Sequence, residues 1–169
     1  TSRQTNRNTS IFLWIRSPRP KACFQQWFPS HFEDKDVEVS PSFRTSEHYM
    51  IYRKAFLFGD EGVANKIMAA QTPGEAKTLG RQAGPFNQAK WDSSCDDIIE
   101  RGNYIQFGQN PKLKEILLNT GDKVIVEASP SDRIWGISFD TERAERNEAD
   151  WGTNKLGDAS MRVRGKLSS

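Results

Sequence analysis

Glu47 and Lys54 stand seven residues apart, in a segment that runs from Phe43-Arg44-Thr45-Ser46-Glu47-His48-Tyr49 into Tyr52 and Phe56. On an α-helix a spacing of seven residues is almost two turns, so the acid and the amine share one face, with Ile51 between them. A carboxylate placed there can activate a water or steady a developing positive charge. A partly desolvated lysine can act as nucleophile or proton donor. The same spacing also describes an ordinary intrahelical ion network on a solvated face, so the rest of the chain must decide between the two.

Other residues are of types that do chemistry. Arg81 follows Leu79-Gly80 at a helix end, where glycine permits a left-handed turn; the guanidinium can fork onto a phosphate or simply complement the helix dipole. Trp91-Asp92 opens a helix, with the aspartate as a cap and the indole either in the core or stacked on a base. Asp132-Arg133-Ile134-Trp135-Gly136 crowds an acid, a cation and an indole into a loop after a strand, where scaffolded sites concentrate. The plain alternative there is an Asx-turn at Asp132 and a packing role for Trp135. Trp151-Gly152-Thr153-Asn154-Lys155-Leu156-Gly157 is a similar mixture, in which Asn154 can cap the last helix.

Composition bounds the reading. A chain of 169 residues with 36% hydrophobic and 27% charged residues supports one globular domain, and its five Trp, ten Phe and three Tyr must supply much of the buried area. The net charge of +2, from 24 basic and 22 acidic residues, is too balanced to announce a nucleic-acid binder by bulk electrostatics. Two cysteines, Cys23 and Cys95, and two histidines, His31 and His48, form no metal-ligand pattern or disulfide framework. No cofactor or metal is expected. No run approaches the ~18 apolar residues of a membrane span, and the start lacks the apolar core of a signal peptide, which points to a soluble protein of the cytoplasm or another intracellular compartment.

The elements that must position these residues follow from local signals. Residues 1–10 are polar and read as a flexible N-terminal arm, and a single domain is expected over 11–169. Ile11 to Ile15 is a short strand ended by Ser17-Pro18-Arg19-Pro20, and Val37-Glu38-Val39 is a second strand before Pro41. A helix capped by Thr45 or Ser46 runs to Gly59, and another covers Val63 to Ala70. Thr72-Pro73-Gly74-Glu75 is a capping box for a short helix towards Gly80. Further helices are expected over Trp91 to Phe107 and from Asn110-Pro111 to Asn119-Thr120-Gly121. Lys123 to Glu127 is a β-branched strand, Asp140 to Asp150 an exposed loop or surface helical insertion, and Leu156, Ala159 and Val163 mark a last helix. The fold class is mainly α, compact, with two or three short strands.

Taken together, Thr45-Ser46-Glu47-His48-Tyr49, the run from Thr72 to Arg81, Trp91-Asp92, Phe107-Gly108-Gln109-Asn110-Pro111, Thr120-Gly121-Asp122, Asp132 to Gly136 and Asn154 to Gly157 resemble the NADAR, or YbiA-like, family. The order and spacing agree from about Ile11 to Leu167. The resemblance implies a mainly helical N-glycosidase that cleaves a ribosyl C–N bond, either in guanine bases carrying ADP-ribose or in phosphorylated riboflavin-pathway intermediates. It carries over catalytic roles to Glu47 and Asp132 and, more loosely, Lys54. Trp91 and Trp135 become stacking rings and Arg81 a phosphate anchor, with Tyr49 and Asn154 beside the substrate. One departure stands out: Gln106 occupies the place before the phenylalanine where many members carry lysine.

The implied partners are therefore an ADP-ribose-bearing guanine nucleotide or nucleic acid, or a phosphorylated ribosyl small molecule. The arginines near the ends (Arg3, Arg7, Arg162, Arg164) favour the first. A module that binds ADP-ribose or nucleotides without turnover is the alternative of another class.

Overall fold

A computed structural model of the chain describes residues 10–13, 21–37 and 42–169. In chain order its elements are β1 (Ser10–Leu13), a 3-10 turn (Lys21–Phe24), β2 (Phe32–Glu33), β3 (Ser42–Phe43), α1 (Ser46–Leu57), α2 (Glu61–Ala69), α3 (Pro73–Gly80), α4 (Gln88–Gln109), α5 (Pro111–Leu118), β4 (Val124–Glu127), α6 (Thr141–Ala144), a 3-10 stretch (Glu145–Asp150) and α7 (Lys155–Leu167). The mainly helical expectation holds. The strands are short, two of them only two residues long. Residues 1–9 of the expected arm, the turn at Ser17 to Pro20 and the strand residues Glu38 and Val39 lie outside the described residues.

The chain forms two compact units, one from its two ends (Thr1–Gln25 with Pro111–Ser169) and one from its middle (Gln26–Asn110). In the unit made by the ends, β1 and β4 pair in parallel, with Ser10 opposite Val124 and Leu13 opposite Glu127, and α7 packs on β4. Val126, Ile137 and Ala144 form a buried cluster that Val124, Phe139 and Trp151 cover. The acidic segment is the surface helical insertion that its charge pattern suggests. It is pinned from below by Ala144, whose carbonyl accepts a 2.8 Å bond from the Trp151 indole.

Asn154 departs from its expected role as cap. Its backbone is left-handed (φ 55°), and its side chain makes no capping bond to α7. The carboxamide instead accepts from the Glu127 N–H at 2.9 Å and donates to the Ile125 carbonyl at 3.0 Å. These bonds satisfy β4 along an edge that no strand among the described residues covers, and asparagine tolerates the left-handed backbone better than most residues.

In the middle unit, α1 starts as the sequence predicts. Thr45 is extended (φ −147°), and its hydroxyl accepts from the His48 N–H at 3.1 Å. The box before α3 closes one residue early: Thr72 takes the Glu75 N–H at 3.1 Å, while Glu75 reaches back to the Gln71 N–H at 2.8 Å. For α4 the cap is Asn87, which accepts from Lys90 N at 2.9 Å, rather than Asp92. Asp92 lies one turn inside and accepts from Gln88 Nε2 at 2.7 Å.

Two glycines set how closely helices meet α1. A Cβ on Gly80 would collide with the Ile51 methyl group, and one on Gly102 would stand 2.6 Å from Tyr49 Cδ1. Gly80 is thus needed for the approach of α3, and not for the left-handed turn its place near a helix end suggests; the cap residue Arg81 is right-handed (φ −69°).

Asp34 ties α1 to α4. Its carboxylate is fully buried, takes Arg101 in a fork (Nη2 to Oδ1 at 2.7 Å, Nε to Oδ2 at 2.9 Å), and accepts from the Tyr49 hydroxyl at 2.7 Å. Burial alone would raise this carboxyl; the bonds from Arg101, Tyr49 and the Asp36 N–H outweigh it and lower the pKa to about 2. A buried carboxylate stripped of its main cation is costly. Arg101→Ala should therefore lose about 3 kcal/mol in urea denaturation, and a variant as stable as the parent would show that this pairing does not hold the helices.

Candidate active site

Glu47 is the second residue of α1 and only 5% exposed. Its N–H donates to the Gln26 carbonyl at 3.0 Å, and Gln26 is held in turn by Asn103 of α4, Nε2 to Oδ1 at 3.0 Å. Burial raises the Glu47 carboxyl from 4.5 to about 7, against the opposing pull of the Lys77 and Lys54 charges. Near neutral pH it therefore exists in both protonation states. That is the condition for a group that must give a proton in one step and take one in another.

Lys54 lies two turns along α1 and half-buried. Its amine is 5.0 Å from the centre of the Phe86 ring and 5.1 Å from that of Trp91, within the range of cation–π attraction. Burial lowers its pKa while the Glu47 charge raises it, with burial the larger effect. Of the residues chosen from sequence, Lys54 of α1 thus stands against Trp91 of α4 and within electrostatic reach of Glu47. The surface ion network that the spacing also allowed would not have produced a carboxyl buried to this degree.

Tyr49 and Arg81 stand differently. Tyr49 is fully buried against Phe32 and Phe43, and burial, then the bond its hydroxyl donates to Asp34, pushes its pKa upward. Arg81 is exposed at the end of α3. His48 supports the cap: Nε2 faces the Ala70 carbonyl at 3.1 Å and so must carry the proton, leaving Nδ1 to accept from the Thr45 hydroxyl at 2.8 Å. Gln106, at the place where the resemblance expects lysine, is 1% exposed and accepts from Ser46 Oγ at 2.6 Å. A neutral amide anchors the start of α1 there.

In the other unit Asp132 makes the Asx-turn that its position suggests. One oxygen, Oδ1, accepts from Ile134 N at 2.9 Å and Trp135 N at 2.8 Å. Trp135 is half-buried, with the Lys155 amine 5.7 Å from its ring centre. Asn154 is occupied with β4.

Sequence reasoning missed Glu127, whose Oε2 is buried without a partner among the described residues. Burial, then the Asp132 charge, raises its carboxyl to about 8. The available signal was an acid ending a β-branched strand five positions before another acid. Lys77 and Phe86 were also missed. Among the described residues no group of three or more His, Cys, Asp or Glu side chains is placed to hold a metal ion, and no helix is long and apolar enough to cross a membrane.

Comparison with known proteins decides the family. The NADAR domain model matches residues 12–168. The chain belongs to the NADAR family. This NADAR chain is 43% identical over 144 residues to N-glycosidase R617 of Acanthamoeba polyphaga mimivirus, covering 83% of this chain and 85% of that one. It is 32% identical over 131 residues to the riboflavin biosynthesis protein PYRR, chloroplastic, of Zea mays, covering 73% of this chain and 19% of the maize protein. In fold it is similar to the NMR structure of E. coli YbiA, with a TM-score of 0.73 at 23% identity, over 96% of this chain and 90% of that one.

The buried carboxyl of this NADAR domain makes a prediction with a definite sign. A folded-state pKa raised above 4.5 contributes stability that is complete at low pH and lost as the pH rises through about 7. Glu47→Gln removes that loss. Relative to the parent, its stability should gain on the order of 3 kcal/mol between pH 4 and pH 8.5, measured by urea denaturation at each pH. Parallel pH profiles for the two proteins would mean that Glu47 titrates normally.

Proposed function

We propose that this protein is an N-glycosidase that cleaves a ribosyl C–N bond, with guanine bases carrying ADP-ribose as its substrate. The observation that carries the reading is the joint desolvation of Glu47 and Lys54 on one face of α1, with Trp91 beside the amine. An amine with a lowered pKa is a nucleophile, a carboxyl with a raised one is a proton donor, and an indole is a surface for a planar base. The relative R617 bears the name N-glycosidase, which agrees with this chemistry.

Breaking an N-glycosidic bond leaves positive charge on the sugar carbon C1, as other glycoside cleavages do. Protonated Glu47 gives its proton to the departing nitrogen, which leaves with the electron pair of the C1–N bond. The unprotonated Lys54 amine attacks C1, and the C1–O4 bond then breaks as a proton passes from the attached nitrogen to O4, which opens the sugar ring and leaves a Schiff base. Glu47, now a carboxylate, takes a proton from the water that adds to C1. Glu47 passes that proton to the lysine nitrogen, the C1–N bond breaks as the new C1 hydroxyl becomes an aldehyde and returns its proton to Glu47, and Lys54 leaves as an amine with the sugar freed. The alternation of Glu47 between acid and base is the role for which a pKa near neutrality is best suited.

A second reading, cleavage of a phosphorylated riboflavin-pathway intermediate, is favoured by the name of the maize relative. It needs the same bond cleavage with a smaller leaving fragment. Incubation with ADP-ribosylated guanine oligonucleotide and, separately, with a phosphorylated ribosyl-amino-pyrimidine distinguishes them: release of ADP-ribose supports the first, and release of ribose 5-phosphate alone supports the second. Cleavage of neither removes the enzyme reading.

Two variants test the chemistry. Borohydride added during turnover should trap sugar on the parent and none on Lys54→Ala, read by intact mass; an active parent with no adduct removes the Schiff base. Glu47→Gln should slow single-turnover cleavage at least ~100-fold, the usual worth of a placed acid–base group. Near-normal cleavage would remove Glu47 from the mechanism.

A further inference from the structure

Phe86 is a large apolar residue left 50% exposed, in the loop between α3 and α4 and directly before the cap Asn87. It is not loosely attached. Its ring meets the buried Phe58 ring at 5.2 Å between centres, at an angle of 59°, so its inner side is fixed by the end of α1. Half of the side chain nevertheless stays accessible beyond this contact. Beside the loop there is room as well: a Cβ on Gly84 would meet nothing within 4 Å. The Lys54 amine stands 5.0 Å from this ring and 5.1 Å from Trp91, so the two rings, from the loop and from α4, both flank it.

We propose that Phe86 is a base-binding residue: with Trp91 it frames the Lys54 amine, and its exposed side takes a planar heterocyclic base beside that amine. The proposal rests on the N-glycosidase reading for its substrate, but its geometry is independent of any reaction. A ring that holds an ammonium by its negative face restrains a flexible lysine stem, which would otherwise sample many rotamers. An exposed ring of fixed orientation stacks a base without first having to be ordered. Together these bring the amine next to the carbon that carries the base. Attack on C1 then needs no large motion of either side chain.

Phe86→Leu keeps the apolar bulk and removes the π face, and Phe86→Tyr restores the face. Two measurements on the purified chain need no turnover. The first is labelling of Lys54 by acetic anhydride across pH, read by peptide mass. Loss of the ring removes a preference for the charged amine, so the midpoint in Phe86→Leu should fall by about half a pH unit and return in Phe86→Tyr. The second is calorimetric binding of guanosine monophosphate, which should weaken about tenfold in Phe86→Leu and recover in Phe86→Tyr.

An unchanged midpoint overturns the framing of the amine. Unchanged nucleotide binding, or no binding to the parent at all, overturns the stacking of the base. A parent that binds the nucleotide but cleaves no candidate substrate would overturn the N-glycosidase reading while leaving the role of Phe86 supported.

Discussion

Withdrawing a carboxylate from water with no direct cation among the described residues is the constraint on which the start of α1 is built. Glu47 is 5% exposed, and the charges that act on its carboxyl, from Lys77 and Lys54, only partly offset the cost of burial. Such a site persists only if the surrounding structure holds it, because the group would gain by turning outward. The start of α1 is held on several sides. Thr45 caps it and is backed by the neutral His48; Gln26 takes the Glu47 N–H; Gln106 takes the Ser46 hydroxyl. One turn further on, Tyr49 is anchored by Asp34 and packed under Gly102.

Asp34 and Glu47 show how the same kind of side chain is driven in opposite directions. Both are buried. Asp34 has a forked guanidinium, a phenol and a backbone N–H, and falls to about 2; Glu47 has, among the described residues, only charges acting at a distance and rises to about 7. The first pairing fixes structure and the second leaves a proton available near neutrality. Lys54 follows the same logic from the other side, with rings in place of water around its amine. A rigid, fully paired charge thus supports an incompletely paired one, an arrangement expected of catalytic sites.

What the sequence made legible was local. Thr45 and Thr72 announce helix starts because a cap depends on residues within one turn, and β-branched Val124 to Val126 announces a strand for a similar reason. Glu47, Lys54 and Trp91 were legible as candidates because helical spacing and a motif singled them out. Phe86, Lys77 and Glu127 were not, since each matters through neighbours distant in sequence. Gly80 and Asn154 were misread on the same ground. A glycine near a helix end and an asparagine before a helix have ordinary local roles, but here one admits Ile51 and the other bonds to β4. Tyr49 looked like a site residue because of its motif, while its ring belongs to the core.

The central claim is that the fold holds the Glu47 carboxyl near neutrality, and direct observation of its titration tests that claim. With the glutamate side-chain carboxyl carbons enriched in carbon-13, and Glu47 assigned by comparison with Glu47→Gln, the chemical shift can be followed from acid to alkaline pH. The account predicts a midpoint of about 7 for Glu47. A midpoint near the ordinary value of 4.5 would contradict it.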